Sequence, residues 1–201
     1  ERLDQLTTEY DEFFNELRIG GKFIIGYTGN LGLANAVDSL LKAAVLLRDS
    51  SEIHFVIVGD GILEAELKSF AASNNLKNVT FLPSILKKYI PKILSLMDCV
   101  YIGAPQKKLY RFGASPNKLL EYMMAGKPII YAIGTINDPV KAAKCGISVT
   151  SENPEAIASA VKQLMRMSDE QRREMGLRGK RYVMENHDYK VLAKRFLESI
   201  E

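Results

Sequence analysis

A chain of 201 residues, 47% hydrophobic and 25% charged, has the length of one α/β domain or two small ones and the profile of a soluble globule. Its 27 Lys and Arg against 24 Asp and Glu leave too slight an excess for a nucleic-acid footprint over the whole surface. No run approaches the roughly 18 apolar residues that span a bilayer, the opening residues are not a signal peptide, and Cys99 and Cys145 lie in apolar contexts without a CxxC spacing, so a cytoplasmic chain with two reduced, buried thiols is expected.

Residues 1–18 are charged, with Leu3, Leu6, Tyr10, Phe13, Phe14 and Leu17 near helical spacing; they read as a leading helix or linker whose apolar stripe needs a partner. The start is not an initiator methionine, which suggests a fragment of a longer chain. Phe23–Thr28 then reads as a buried strand, followed by the turn Gly29–Gly32 and a helix with Leu33, Ala36, Val37, Leu40, Leu41, Ala44 and Leu47 on one face. The unit repeats as Ile53–Val58, Gly59–Gly61 and a helix over 62–74, and again as Val79–Leu82 and a helix over 86–97. It continues through Val100–Ile102, a helix over 116–125, Ile129–Ala132, a helix over 138–144 and Ile147–Val149. Six strands separated by helices argue for one Rossmann-like open parallel sheet, covered on both faces and binding ligands at the carboxyl ends of its strands. Asn153 caps a further helix, and Ser168 with Gln171 resembles a capping box opening another. From Arg166 to Arg195 nine basic residues face five acidic ones, a solvated basic face that also suits anionic lipid or a partner domain. The division expected is a leading segment over 1–18, a ligand-binding domain over 19–186 and a C-terminal helix over 187–201.

The most informative stretch runs from Arg111 to Tyr131. Ser115 is a good N-cap and Pro116 suits the first helical position, where a missing N–H costs nothing. The backbone N–H groups of Asn117, Lys118 and Leu119, the positive end of the helix dipole and the Lys118 ammonium then converge on one spot suited to a diphosphate. Glu121 stands roughly 7 to 8 Å along the axis from Pro116, a distance suited to an attached ribose. Gly126 and Pro128 stop the helix. The same spacing also suits an ordinary i, i+3 ion pair between Lys118 and Glu121.

Elsewhere the chemistry is sparse. The three glycine turns after strands, at Gly29, Gly59 and Gly103, complete neither a GxGxxG nor a P-loop, which disfavours dinucleotide oxidoreductases and NTPases. His54 reads as a sheet residue and His187 as a helix junction, with no triad or metal partner at readable spacing. Asp60 and Asp98 read as caps. No DxD-type acidic pair stands at a strand end, so neither a metal nor a cofactor is expected.

Taken together, Ile25–Gly32, Phe55–Gly61, Val79–Pro83, Ser95–Asp98 and Ser115–Ile130 resemble the retaining glycosyltransferases of family 4, and specifically the nucleotide-sugar-binding C-terminal half of their two-domain GT-B fold. The resemblance spans about residues 20–200. It implies that Glu121 binds ribose hydroxyls, that the loop before it holds the diphosphate, that the segment Phe81–Ser84, with Leu82 and Pro83, lines the base pocket, and that Gly29, Asn30, Ser115, Asn117, Lys118 and Leu119 complete the donor site. Two departures stand out. Gly113 occupies the place of a glutamate found in many members, and Asn30 and Asn35 replace the usual Arg and Lys of the diphosphate clamp, leaving Lys118 as the substitute cation. The pattern is similar to a subgroup transferring amino sugars such as N-acetylfucosamine during bacterial surface-polysaccharide assembly. What this implies is the donor half of a glycosyltransferase using a UDP-linked sugar and a glycan or lipid-linked acceptor. Its partner would be an acceptor-binding N-terminal domain, with peripheral contact at the inner face of the membrane and no nucleic acid. A UDP-sugar epimerase of similar fold and a non-catalytic nucleotide- or partner-binding module are the alternatives.

Overall fold

The computed structural model describes residues 2–114 and 116–200, with side chains from Glu9 onward except those of Arg111 and Ile200; Ser115, the expected helix cap, lies outside the described residues. The chain runs α1 (Arg2–Ile19), β1 (Phe23–Thr28), α2 (Val37–Leu46), β2 (Ile53–Val58), α3 (Glu64–Ser73), β3 (Val79–Leu82), α4 (Ile90–Ser95), β4 (Cys99–Gly103), α5 (Asn117–Met124), β5 (Ile129–Ala132), α6 (Pro139–Ala143), β6 (Gly146–Ser148), α7 (Pro154–Arg166), α8 (Asp169–Asn186) and α9 (Tyr189–Ile200). Short 3₁₀ turns at Leu33–Asn35, Lys87–Tyr89 and Lys108–Phe112 lie in three of the loops that follow strands.

All strand pairs are parallel, in the order β3-β2-β1-β4-β5-β6. Every residue of β1, β2, β4 and β5 is buried, as their continuous apolar runs require of a sheet covered on both faces. The pleat sorts these side chains into two layers. Ile25, Tyr27, Phe55, Ile57, Cys99 and Tyr101 pack under α2, α3 and α7. Ile24, Val56, Val58, Val100, Ile102 and Tyr131 pack under α1, α4, α5, α6 and α8.

Helix α1 belongs to that second layer. Tyr10 and Phe14 are buried in it, the Tyr10 hydroxyl donates to the Pro83 carbonyl at 2.9 Å, and Lys92 pairs with Asp11. From Tyr10 to Leu17, the part of the apolar stripe with described side chains is therefore packed on this chain's own sheet layer.

Three helix starts differ from the periodicity. Ala36 takes a left-handed conformation (φ 44°, ψ 43°) held by a hydrogen bond from the buried Tyr101 hydroxyl to its carbonyl at 3.0 Å, so α2 begins only at Val37 and Leu33 is left exposed. The span 86–97 is divided, because Pro91 has no N–H to donate and fits only the first turn of a helix; α4 accordingly opens at Ile90 after a separate 3₁₀ turn. Pro116 precedes α5 in an extended conformation (φ −68°, ψ 123°) rather than occupying its first turn. The caps at Asn153 and Ser168 form as the sequence indicates, the latter with both hydrogen bonds of the capping box.

Candidate functional site

β1 and β4 are neighbours only through Ile25 with Cys99 and Gly26 with Val100. Beyond that point the two strands diverge, because the chain leaves β1 toward β2 on one side and leaves β4 toward β5 on the other. This is the topological switch point of a doubly wound sheet, where a crevice opens at the carboxyl ends of the strands. Tyr122 of α5 fills its floor. The Tyr122 hydroxyl donates to the Thr28 carbonyl at 3.1 Å and accepts from the Thr28 N–H at 2.9 Å, supplying the last residue of β1 with the partners that β4 no longer provides. Burial pushes that phenol up to about 12, so the hydroxyl keeps its proton and its donor role.

Above this floor lies a cleft of about 760 Å³. Thr28, Gly29, Ala34 and Asn35 wall one side, Asn117, Lys118 and Glu121 of α5 another, and Ile85, Lys87 and Ile90 a third. Ile102, Gly103, Ala104, Leu109, Tyr110, Gly113, Ala114, Pro116 and Ile133 complete it. The lining is apolar with a few convergent polar groups, as small-molecule sites are.

Lys118 does not pair with Glu121 along the helix. Its ammonium crosses to the β1–α2 loop, donating to the Tyr27 hydroxyl at 2.8 Å and to Asn35 Oδ1 at 3.2 Å while lying 4.1 Å from the centre of the Tyr27 ring. The Tyr27 hydroxyl donates in turn to the Asn30 carbonyl at 2.6 Å, and Asn35 Nδ2 donates to that same carbonyl at 3.0 Å. A closed ring of hydrogen bonds thus ties the helix start to the loop. Gly29 lets the ammonium in: a Cβ there would stand 2.6 Å from Lys118 Nζ, and its φ of +138° is one that side chains rarely adopt. Burial lowers the Lys118 ammonium to about 8, against the opposing pull of the Glu121 carboxylate. Burial likewise raises the Tyr27 phenol, with Tyr122 and Tyr101 adding to the effect. Glu121 instead reaches across the cleft to Lys87, with Nζ to Oε1 at 3.0 Å.

The residues singled out in the sequence are placed unevenly. Gly29, Asn117, Lys118 and Glu121 line the cleft together. Asn30 is exposed and serves the ring through its backbone carbonyl alone among the contacts described. Leu119 is buried in the apolar layer, and its N–H, expected to face an anion, donates to the Pro116 carbonyl at 2.9 Å. Leu82 and Pro83 stop short of the cleft: Leu82 packs on the apolar layer, the Pro83 carbonyl receives Tyr10, and Ile85 and Lys87 do the lining instead. The position of Ser115 lies outside the described residues. Lys87, Ile85 and Tyr110 also line the cleft, though no motif in the sequence marks them. The available signal was positional, since all three follow strand ends and ligands bind there. No group of three or more His, Cys, Asp or Glu suited to a metal occurs among the described residues.

An all-parallel sheet with a polar-edged cleft at its switch point defines an α/β domain of the Rossmann type. Residues 9–182 match the family model described as Glycosyl transferases group 1, and the chain belongs to that family. It is 26% identical over 162 residues to the putative colanic acid biosynthesis glycosyl transferase WcaI of Escherichia coli K12, covering 78% of this chain and 39% of that protein. Among solved structures, Anabaena HepE in complex with UDP and glucose superposes with a TM-score of 0.76 at 16% identity, over 96% of this chain and 52% of HepE. The C-terminal domain of the group 1 glycosyl transferase LpcC from Francisella tularensis superposes with a TM-score of 0.69 at 18% identity, over 88% of this chain and 91% of that domain. The lipopolysaccharide glycosyltransferase WaaG gives 0.71 at 16% identity, over 92% of this chain and 50% of WaaG. The chain thus spans well under two thirds of the length of WcaI, HepE and WaaG.

Proposed function

We propose that this chain is the donor-binding, C-terminal half of a retaining glycosyltransferase and that its cleft holds a UDP-linked sugar. The observation that carries this reading is the seating of Lys118 on the Gly29 loop while Glu121, three residues on, faces the same cleft. Where the resemblance implies a Lys after β1 this chain has Asn35, and its amide oxygen holds the ammonium that α5 sends over instead. One wall of the cleft can then neutralise a diphosphate, and a carboxylate about one turn further along can accept hydrogen bonds from ribose hydroxyls. HepE, similar in fold, was solved with UDP and with UDP-glucose, and the match to an isolated C-terminal domain of LpcC supports the assignment to that half.

Departure of the sugar leaves negative charge on the diphosphate. Lys118 and the α5 start are the groups placed to stabilise it, which makes catalysis chiefly positioning and electrostatics without a metal. The finer reading is an amino-sugar transfer in surface-polysaccharide assembly onto a glycan or lipid-linked acceptor; the colanic acid biosynthesis in the name of WcaI supports its polysaccharide part alone. The acceptor would be held by an N-terminal domain, toward which α9, with Leu192, Phe196 and Leu197 exposed, would return. The basic residues of α8 and α9 suit peripheral contact with an anionic membrane. No helix among the described residues is long and apolar enough to cross one. Calorimetric titration against UDP, GDP, ADP and TDP tests the reading: preference for UDP is expected, and the absence of any nucleotide binding would leave only a partner-binding module.

A further inference from the structure

We propose that Lys87 is a positioning residue for Glu121, fixing the carboxylate that reads the ribose; this rests on the donor-binding reading above. Glu121 projects from α5 on a long side chain that is 40% exposed, so nothing about its place on the helix fixes where its oxygens point. What holds it is an ion pair across the cleft, with Lys87 Nζ 3.0 Å from Oε1. The two residues belong to opposite walls, α5 and the segment after β3, both lining the same cavity. Lys118 does not perform this task, because its ammonium turns away from Glu121 to Tyr27 and Asn35 on the opposite wall.

The base of Lys87 is itself anchored. The Ser84 hydroxyl donates to Asp60 Oδ2 at 2.6 Å, tying the segment to the β2–α3 loop, and the Tyr89 N–H closes the 3₁₀ turn on the Leu86 carbonyl at 2.9 Å. With one carboxylate oxygen held by the ammonium, the other remains for the vicinal hydroxyls of a ribose, and the carboxylate has acceptor sites enough for both partners. The Lys87 side chain is 88% exposed, and a surface pair of this kind adds little to folding stability. Its effect therefore belongs in ligand discrimination rather than in unfolding.

The test is titration of the 201-residue chain and its Lys87→Met and Lys87→Arg variants with UDP, 2′-deoxy-UDP and pyrophosphate. A hydrogen bond to a charged acceptor that forms with the 2′-hydroxyl should give the native chain roughly a tenfold preference for UDP over 2′-deoxy-UDP. In Lys87→Met that preference should fall to about two- to threefold with pyrophosphate affinity unchanged, and Lys87→Arg should restore most of it. A preference retained in Lys87→Met would overturn the proposal. So would an equal loss of all three ligands, which would make Lys87 a direct phosphate contact. If the native chain bound no UDP, the donor-site reading itself would fall, an outcome distinct from either.

Discussion

Lys118 lies half-buried on the Tyr27 ring, and its titration follows from that place. Its value is lowered from 10.5 to about 8, so at neutral pH the ammonium is still mostly charged. Between these two values the unfolded chain binds the proton and the native chain does not, so this group makes the fold more stable as pH rises through that window. Diphosphate binding runs the other way, since only the ammonium attracts it. UDP affinity should therefore decline as pH rises past about 8, and Lys118→Met should bind more weakly and lose that dependence; calorimetry across the window checks both. Glu121→Ala should weaken UDP by roughly tenfold or more while barely changing pyrophosphate, because a carboxylate has nothing to offer a phosphate. Equal losses for both ligands would instead point to damage to the helix. Tyr122→Phe leaves both Thr28 backbone groups without the hydroxyl that serves them, and should cost about 1–3 kcal/mol in denaturant unfolding.

At the scale of elements, α1 is integral to the sheet's cover, and Phe14→Ala should destabilise the chain by about 3–5 kcal/mol in the same unfolding assay. Most elements were legible because their signals are local. β1, β2, β3 and β5 fall where short, largely apolar runs bounded by turn residues put them, and the caps at Asn153 and Ser168 are set by residues three apart. What escaped depends on contacts made far along the chain. The left-handed Ala36 is held by Tyr101, 65 residues away, and the Lys118 ammonium is claimed by Tyr27, 91 residues away. The i, i+3 pairing of Lys118 with Glu121 is good helix chemistry, yet both side chains face a crevice whose far walls offer each a better partner. Within the site, the helix start, Lys118, Glu121 and Gly29 could be read from motif and spacing. Lys87 could not, since the loop after β3 has no periodicity to mark which of its residues turn inward.

For the whole molecule, the proposed half-enzyme should bind UDP-sugar and transfer nothing by itself. A cleft without its second wall leaves water around the sugar and the acceptor unoriented, forfeiting much of the roughly 7 to 11 kcal/mol that positioning contributes. Sugar transfer by the 201-residue chain at an ordinary enzymatic rate, assayed by UDP release with and without lipid-linked acceptors, would refute the division of labour. UDP binding should persist in EDTA, and a requirement for magnesium or manganese would remove Lys118 from its assigned role. The two-layer core also equips the molecule with its own reporters of motion. Cys99 sits in the layer under α2, α3 and α7, and Cys145 in the layer under α5, α6 and α8; burial raises both thiols, the latter to about 12. Neither is reactive as thiolate in the closed fold, so each can be alkylated only when its own layer opens. Labelling kinetics followed by mass spectrometry would then time the breathing of the two sides of one sheet separately, and saturating UDP, bound between α5 and the β1 loop as proposed, should slow Cys145 more than Cys99.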